Sequence, residues 1–368
     1  MISDRKKILF LVPAFAGGIG GAERVISTLL RYLDHTRFEC HLGLVLADSA
    51  FLEDVPGDVT VHYLRVKRIR YCLPGIIRLV WKIKPHTILS TVSYLNVMSI
   101  MARSFSPKRT RLLVREATMP SAFIAQDTAY PRLWEFLYRR LYRRADKIIC
   151  LSDSMQRDFA EHFSVPPEKL TRIYNPIDIE LIQQAVKGGR NPYQTRGPHL
   201  VAIGRLRREK GFDLLIAAFA EVVRKIPDAH LIILGEGPDA AALKEQARTC
   251  GLHHKIDFPG FVANPWLYLA SADLFVLSSR MEGLPNTLLE ALVLGTPIVA
   301  SDCVGAMREL QSIDQRIVLF PTENSSAMAH AIISSLSANK LAGAGSKLIS
   351  SSIEFEPSRV AEQYGRLF

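Results

Sequence analysis

Two carboxylates and two cations stand at positions where an α/β fold could use them. The first group is Ser278-Ser279-Arg280-Met281-Glu282-Gly283-Leu284-Pro285-Asn286-Thr287-Leu288-Leu289-Glu290-Ala291-Leu292, with seven residues between Glu282 and Glu290. An apolar run ends near Ser278, and a helix is expected from Asn286 or Thr287. Glu282 then lies in the loop and Glu290 about a turn into the helix. Ionised carboxylates accept hydrogen bonds and donate none, which suits them to pairs of hydroxyls. The backbone from Gly283 through Leu284, Pro285 and Asn286 to Thr287 would offer an anion site at the helix start. A capped helix with an exposed Glu is the plainer reading. Leu288, Leu289, Leu292 and Val293 already supply a core face, so that reading leaves both acids unexplained.

The second group is Gly204-Arg205-Leu206-Arg207-Arg208-Glu209-Lys210-Gly211, directly after an apolar run. Arg205 and Lys210 at such a strand end would hold a diphosphate and offset its charge as it leaves. A solvated basic loop is the alternative, but strand ends of this kind are where α/β folds bind ligands. A third group, Gly17-Gly18-Ile19-Gly20-Gly21-Ala22-Glu23, allows close backbone approach to phosphate at a helix N-terminus. A tight turn would need the same glycines. The spacing is not the dinucleotide fingerprint, and no acid ends the second strand, which argues against a dehydrogenase.

These loops need strands and helices to position them. Apolar runs at 7–12, 38–46, 60–64, 87–91, 111–115 and 147–151 read as strands, with a helix over 22–34 and further helical patterns between most of the others. The same grammar restarts after the polar, Gly- and Pro-rich stretch 187–198. Strands are expected at 199–203, 229–234, 257–258, 274–277, 298–300 and 317–320, with helices over 211–224 and 239–249. This alternation predicts two Rossmann-like α/β domains, each with a parallel sheet. A chain of 368 residues also exceeds what one core usually serves. The expected division is a first domain 1–184, a second domain 185–355, and a C-terminal helix, 356–368, able to cross back to the first domain.

Bulk properties exclude several classes. No apolar run approaches the ~18 residues of a membrane span. Cys40, Cys72, Cys150, Cys250 and Cys303 are scattered, without metal-ligand spacing, and read as reduced, buried thiols of a cytoplasmic protein. No metal-binding cluster is expected from the histidines. Residues 5–16 imitate a secretory signal, but the glycine loop and helix that come after them favour a first strand. The net charge of +10 is concentrated in residues 1–184, with 27 Lys+Arg against 18 Asp+Glu. That imbalance points to a polyanionic partner. No nucleic-acid-binding module is recognisable, so an anionic membrane surface or a phosphate-bearing acceptor is expected instead.

The segment from Ser278 to Leu292 resembles the donor-binding signature of retaining glycosyltransferase family four, with the glycosyltransferase B fold. The resemblance covers most of the chain. Gly20-Gly21-Ala22-Glu23 looks like the family's N-terminal loop, and Asn175-Pro176-Ile177-Asp178 like its domain-joining motif. The blocks Gly204 to Gly211, Gly235-Glu236-Gly237-Pro238 and Pro259-Gly260-Phe261-Val262 come next in family order. The resemblance implies that Arg205 and Lys210 bind the donor diphosphate, that Glu282 contacts the transferred sugar and that Glu290 contacts the ribose. Gly20 and Gly21 would approach the phosphate from the other domain, Gly204 and Gly235 would shape the site, and Phe261 and Val262 would line the nucleobase. Gly283, Leu284, Pro285, Asn286 and Thr287 complete the set, and Asn286 sits where the family varies with sugar preference. The resemblance also implies that the first domain binds the acceptor and the second the donor, the two facing one another across a cleft whose closure would exclude water.

The resemblance thus implies a retaining hexosyl or N-acetylhexosaminyl transfer from a nucleotide sugar, with UDP as the nucleotide. Front-face attack assisted by the leaving diphosphate is expected, with Glu282 as the alternative nucleophile. No Asp-x-Asp motif is present, so neither a divalent metal nor a cofactor is expected beyond the nucleotide-sugar co-substrate. The family's customary first-domain His is replaced in Leu113-Val114-Arg115-Glu116-Ala117-Thr118, and Asp302-Cys303-Val304-Gly305-Ala306-Met307-Arg308-Glu309 lacks one customary glycine. On the acceptor side, residues 65–84 and 134–144 mix arginines with aromatic and aliphatic residues at helical spacing. Such helices suit an anionic bilayer as well as a sheet face. Together they predict a peripheral enzyme on the inner face of a membrane. Its acceptor would be a glycan or lipid-linked saccharide of cell-surface polysaccharide or lipopolysaccharide assembly. A non-catalytic nucleotide-sugar-binding or scaffold protein of the same fold is the rival reading.

Overall fold

The computed structural model describes residues 5–14, 21–46, 55–303, 305–342 and 354–368. It divides into two compact units, Met1–Ile177 with Glu354–Phe368, and Asp178–Ile353.

The first unit runs β1 (Lys6–Val12), α1 (Gly21–Tyr32), β2 (Phe38–Leu46), β3 (Thr60–Val66), α2 (Leu73–Ile83), β4 (Thr87–Thr91), α3 (Ser93–Arg103), β5 (Arg111–Arg115), α4 (Pro120–Asp127), α5 (Pro131–Leu141), β6 (Lys147–Cys150), α6 (Asp153–Phe163) and β7 (Leu170–Arg172). Among the described residues these strands form one parallel sheet in the order β3-β2-β1-β4-β5-β6-β7. Buried on both faces, β1 is apolar without alternation from Ile8 to Val12, as central parallel strands are. The short edge strand β7 has too little pattern to be seen in the sequence.

The second unit runs α7 (Ile179–Val186), β8 (His199–Ile203), α8 (Phe212–Lys225), β9 (His230–Leu234), α9 (Ala240–Thr249), β10 (Ile256–Gly260), α10 (Trp266–Ser271), β11 (Leu274–Leu277), α11 (Asn286–Leu294), β12 (Ile298–Ser301), α12 (Met307–Ile313), β13 (Ile317–Phe320) and α13 (Ser325–Ala342). Its parallel sheet has the order β10-β9-β8-β11-β12-β13. Leu200, Ala202, Leu231, Ile233, Leu274 and Val276 pack there against Phe212, Leu215, Phe219 and Val222 of α8, and against Met328 and Ile332 of α13.

The units part between Ile177 and Asp178, not between residues 184 and 185. The helix α7 packs on α10 and α11, and Asn264 Nδ2 donates to Ala185 O at 2.9 Å, which ties it to the second unit. The conspicuous polar stretch 187–198 thus lies inside that unit. The last helix, α14 (Pro357–Leu367), belongs to the first unit and packs on α1. The Phe368 ring meets Phe10 and Phe38 edge-on at 5.8 and 5.7 Å. Arg111 donates to Leu367 O at 2.8 Å. Burial of such a phenyl group contributes roughly 1.5–3 kcal/mol.

Of the cysteines, Cys40, Cys72, Cys150 and Cys303 are buried as expected, whereas Cys250 is exposed beyond the end of α9. Among the described residues no helix is long and apolar enough to cross a membrane.

Candidate functional site

The carboxyl ends of β8, β9, β10 and β11 gather the predicted donor residues of the second unit. β8 gives way at Gly204, whose N–H donates to Leu234 O at 3.0 Å. Gly235 follows β9 with φ +135°, and a Cβ there would lie 2.0 Å from Gly204 O. The Gly235 backbone lies directly on the Gly204 carbonyl, which is why Gly235 must be bare. Gly235 N–H donates in turn to Gly260 O at 2.9 Å. Phe261, the next residue, is exposed, and Val262 is half-buried.

After Gly204 the chain passes the exposed Arg205 and makes a single tight turn at Arg208–Lys210. The turn closes on Gly211 at φ +63°, where a Cβ would stand 2.1 Å from Ser278 O. Ser278 Oγ donates to Lys210 O at 2.8 Å. Residues distant in sequence are thereby fastened back to back, and Lys210 Nζ reaches Glu282 Oε1 at 2.6 Å. Ser279 Oγ donates to the same oxygen at 2.6 Å. Both contacts fall on Oε1, and among the described residues no group donates to Oε2. Lys210 and Glu282 side chains are 24% and 11% exposed, shielded but reachable. Burial works against the Lys210 charge, but Glu282 beside it outweighs that penalty and the pKa is raised.

A second set of contacts holds the Glu282 loop. Arg280, itself little exposed, donates to both oxygens of Asp213 at 2.8 Å, to Glu323 Oε1 at 2.6 Å and to Arg208 O at 2.6 Å. Such bidentate pairing fixes direction as well as charge. Burial works against the Asp213 charge, yet its hydrogen bonds from Arg280 hold its pKa below the ordinary 3.8. On the opposite side, Gly305 has φ +143°, and a Cβ there would come within 2.4 Å of Glu282 O. Ala306 N–H donates to Gly283 O at 3.2 Å. The Cys303 thiol is pushed up to about 12, first by burial and then by the Glu282 charge.

The helix α11 begins at Asn286 behind Pro285, which has no capping side chain to offer. Gly283, Leu284 and Pro285 are buried, whereas Asn286 and Thr287 are half-buried. Glu290, the fifth helical residue, is only 1% exposed, between the buried Leu289 and Ala291. In the first unit, Gly21 opens α1, and Gly20 lies outside the described residues. Among the described residues no group of three His, Cys, Asp or Glu could hold a metal ion.

The pair Arg115-Glu116 ends β5 in the first unit and is entirely buried. Glu116 accepts from Ser93 Oγ at 2.8 Å, Asn96 Nδ2 at 2.8 Å, Tyr138 OH at 3.4 Å and Tyr142 OH. Burial raises its pKa against the opposing effect of those four bonds. Arg115 donates to Thr91 Oγ1 at 3.2 Å and Asn175 Oδ1 at 2.5 Å, and burial lowers its pKa. Asn175, read in the sequence as part of a domain-joining motif, is thus hydrogen-bonded within the first unit.

A relative from Campylobacter jejuni is 30% identical over 88% of this chain and 89% of its own length. It is an N-acetylgalactosamine-N,N'-diacetylbacillosaminyl-diphospho-undecaprenol 4-alpha-N-acetylgalactosaminyltransferase. The chain belongs to glycosyltransferase family 4. Family models for Glycosyltransferase Family 4 and Glycosyl transferases group 1 match residues 19–181 and 190–346. Sucrose-phosphate synthase from Thermosynechococcus elongatus superposes with a TM-score of 0.83 at 16% identity, covering 99% of this chain and 98% of its own. HepE of Anabaena in complex with UDP-glucose does so with 0.76 at 22% identity, covering 98% of each chain. The fold is therefore glycosyltransferase B, and the family assignment makes the protein a glycosyltransferase. Sequence reasoning missed Ser279, Arg280 and Gly305 as supports of Glu282. Arg280 had a signal, a cation beside a motif acid, but its partners Asp213 and Glu323 are too far away in the chain to be paired by spacing.

Proposed function

We propose that this family 4 enzyme moves a hexose or N-acetylhexosamine from UDP to a lipid-linked saccharide, with retention at the anomeric carbon and without a metal ion. The observation that carries this reading is the Glu282 carboxylate. Lys210 and Ser279 hold one of its oxygens at 2.6 Å each, while the other receives no hydrogen bond from the described residues. That oxygen is available to accept a hydroxyl of the transferred sugar. UDP is supported by the UDP-glucose in HepE, and a lipid-linked acceptor by the diphospho-undecaprenol in the Campylobacter jejuni transferase's name.

In this mechanism Arg205 and Lys210 bind the diphosphate, and Glu290 takes the ribose hydroxyls. Gly204 and Gly235 let the nucleotide approach the backbone, with Phe261 and Val262 beside the base. The start of α11, from Gly283 to Thr287, adds a partial positive charge. As the glycosidic bond breaks, negative charge builds on the β-phosphate oxygen, where Lys210, held in place by Glu282, and the exposed Arg205 offset it. The leaving oxygen takes the acceptor's proton as that hydroxyl attacks from the same face. The enzyme would work on the inner face of a membrane, where a polyprenyl-linked acceptor presents its saccharide.

Incubation with UDP-sugars and extracted polyprenyl-diphosphate saccharides, in excess chelator, tests the reading. The expected product carries one added sugar in the donor's own anomeric configuration. An inverted linkage would overturn retention, and loss of transfer in chelator would overturn metal independence.

A further inference from the structure

Two helices of the first unit carry mixed basic and apolar sequences, and the structure treats them differently. In α2 the aliphatic side is used up internally: Ile76, Leu79, Val80 and Ile83 are buried, and the exposed Trp81 donates from Nε1 to Phe105 O at 2.8 Å. In α5 Tyr138 is the one buried residue. Leu133 and Phe136 remain 53% and 61% exposed, and Tyr130 before the helix is 71% exposed. Leu133, Phe136 and the half-buried Leu137 keep the i, i+3, i+4 spacing of one helix side. Two large side chains left in water on one turn are costly for an ordinary sheet-covering helix.

Five of the six charged residues on α5 and the turn after it are basic. Arg132, Arg139, Arg140, Arg143 and Arg144 are exposed on α5 and the turn after it. The helix's one acid, Glu135, is engaged by Arg139 at 3.0 Å. α5 also packs on α3, where Tyr94 meets Trp134 edge-on at 4.7 Å. That helix sits within residues 59–115, which hold twelve Lys and Arg and no Asp or Glu. An exposed apolar stripe flanked by five arginines, with a single acid on its own helix, matches an anionic lipid surface in both chemistry and sign.

We infer that α5 is the membrane-docking element, with Leu133 and Phe136 entering the headgroup–acyl boundary and the surrounding arginines meeting anionic headgroups. α2, with its aliphatic side already in the core, contributes its basic residues and the single exposed Trp81. The inference rests on the lipid-linked acceptor proposed above and names the surface that would bring the enzyme to it.

The full-length protein is to be floated with vesicles of phosphatidylglycerol and phosphatidylethanolamine, and with vesicles of phosphatidylcholine alone. Retention is expected on the anionic vesicles alone and should weaken as salt is raised. The Leu133→Ser/Phe136→Ser variant should lose partitioning by about tenfold or more. Its melting temperature and UDP release from the donor should stay unchanged. Phe136→Trp provides a second readout: its fluorescence should be quenched by brominated acyl chains. Equal retention of the double variant, or no quenching, would overturn the inference. So would a wild-type dimer that the double variant dissolves without any vesicle retention, since the stripe would then face a second copy. Lost retention with intact UDP release would leave the donor site standing, whereas absent UDP release in a vesicle-bound wild type would count against the donor site alone.

Discussion

Each unit places a basic residue and a glutamate at the carboxyl end of its parallel sheet, and the two pairs have opposite fates. In the second unit Lys210 and Glu282 face each other directly and stay within reach of solvent. In the first, Arg115 and Glu116 are 1% and 0% exposed, and Glu116 is met by two tyrosines, a serine and an asparagine. A buried carboxylate whose acceptor sites are filled by neutral donors rigidifies the strand ends around it. A shielded carboxylate with one oxygen spare can work on a ligand. Strand-end position is therefore not enough to mark a reactive group; spare hydrogen-bonding capacity decides.

The largest expected effect is on catalysis in the second unit. Glu282→Gln should lower kcat/KM for transfer by about 10²–10³-fold, the usual cost of losing one fixed polar group at a developing charge. Its thermal midpoint should stay near that of wild type. A variant that unfolds instead would move Glu282 into the same class as Glu116 and erase the contrast.

The converse substitution comes next. Glu116→Leu leaves Ser93, Asn96 and Tyr142 without their buried acceptor and should destabilise the first unit by about 3 kcal/mol in denaturant unfolding. Donor binding to the surviving folded protein should be unaffected. Gly305→Ala sharpens the comparison from the backbone side. Its Cβ would collide with Glu282 O, in a conformation that costs side chains of order 1–3 kcal/mol. An activity loss of about tenfold is expected, smaller than for Glu282→Gln because the carboxylate is displaced and not removed.

The smallest effects are in pH. The Lys210 pKa is raised above its ordinary 10.5, so stability from its pair with Glu282 is complete below 10.5 and is lost as pH rises through the folded value. Donor affinity should therefore show no Lys210-dependent alkaline limb below about pH 10.5. The Asp213 pKa is depressed below 3.8, so its contribution is complete above 3.8 and is lost as pH falls through the folded value. Thermal melts of Asp213→Asn against wild type should converge below that folded value and differ most above 3.8.

The second unit's half of this contrast was legible in the sequence as a candidate site, whereas the burial of Arg115 and Glu116 was not, and the illegible part has a common cause. The blocks at 204–211 and 278–290 are contiguous, so order and spacing, joined to the family resemblance, singled out Arg205, Lys210, Glu282 and Glu290 as candidates. Strands with unbroken apolar runs were equally plain, and only the three-residue β7 escaped. The supports of Glu282 come from Asp213, Glu323 and Gly305, which local pattern does not connect. The cage around Glu116 comes from α3, α5 and the turn after α5, and nothing in the α5 sequence separates Tyr138, which is buried, from Phe136, which is not. The domain boundary shifted for a similar reason: the polar stretch 187–198 looks like a linker, whereas α7 before it packs on α10 and α11.

The central claim is that the second unit holds a UDP-sugar through Lys210 and Glu282. Its most direct test is the thermal shift and slow UDP release of the purified protein against a panel of UDP- and GDP-sugars, repeated in Glu282→Gln and Lys210→Ala. The expected result is a response to one UDP-sugar in wild type, with release abolished in both variants while both remain folded. A wild type that responds to none of the donors, or variants that release UDP at the wild-type rate, would contradict it.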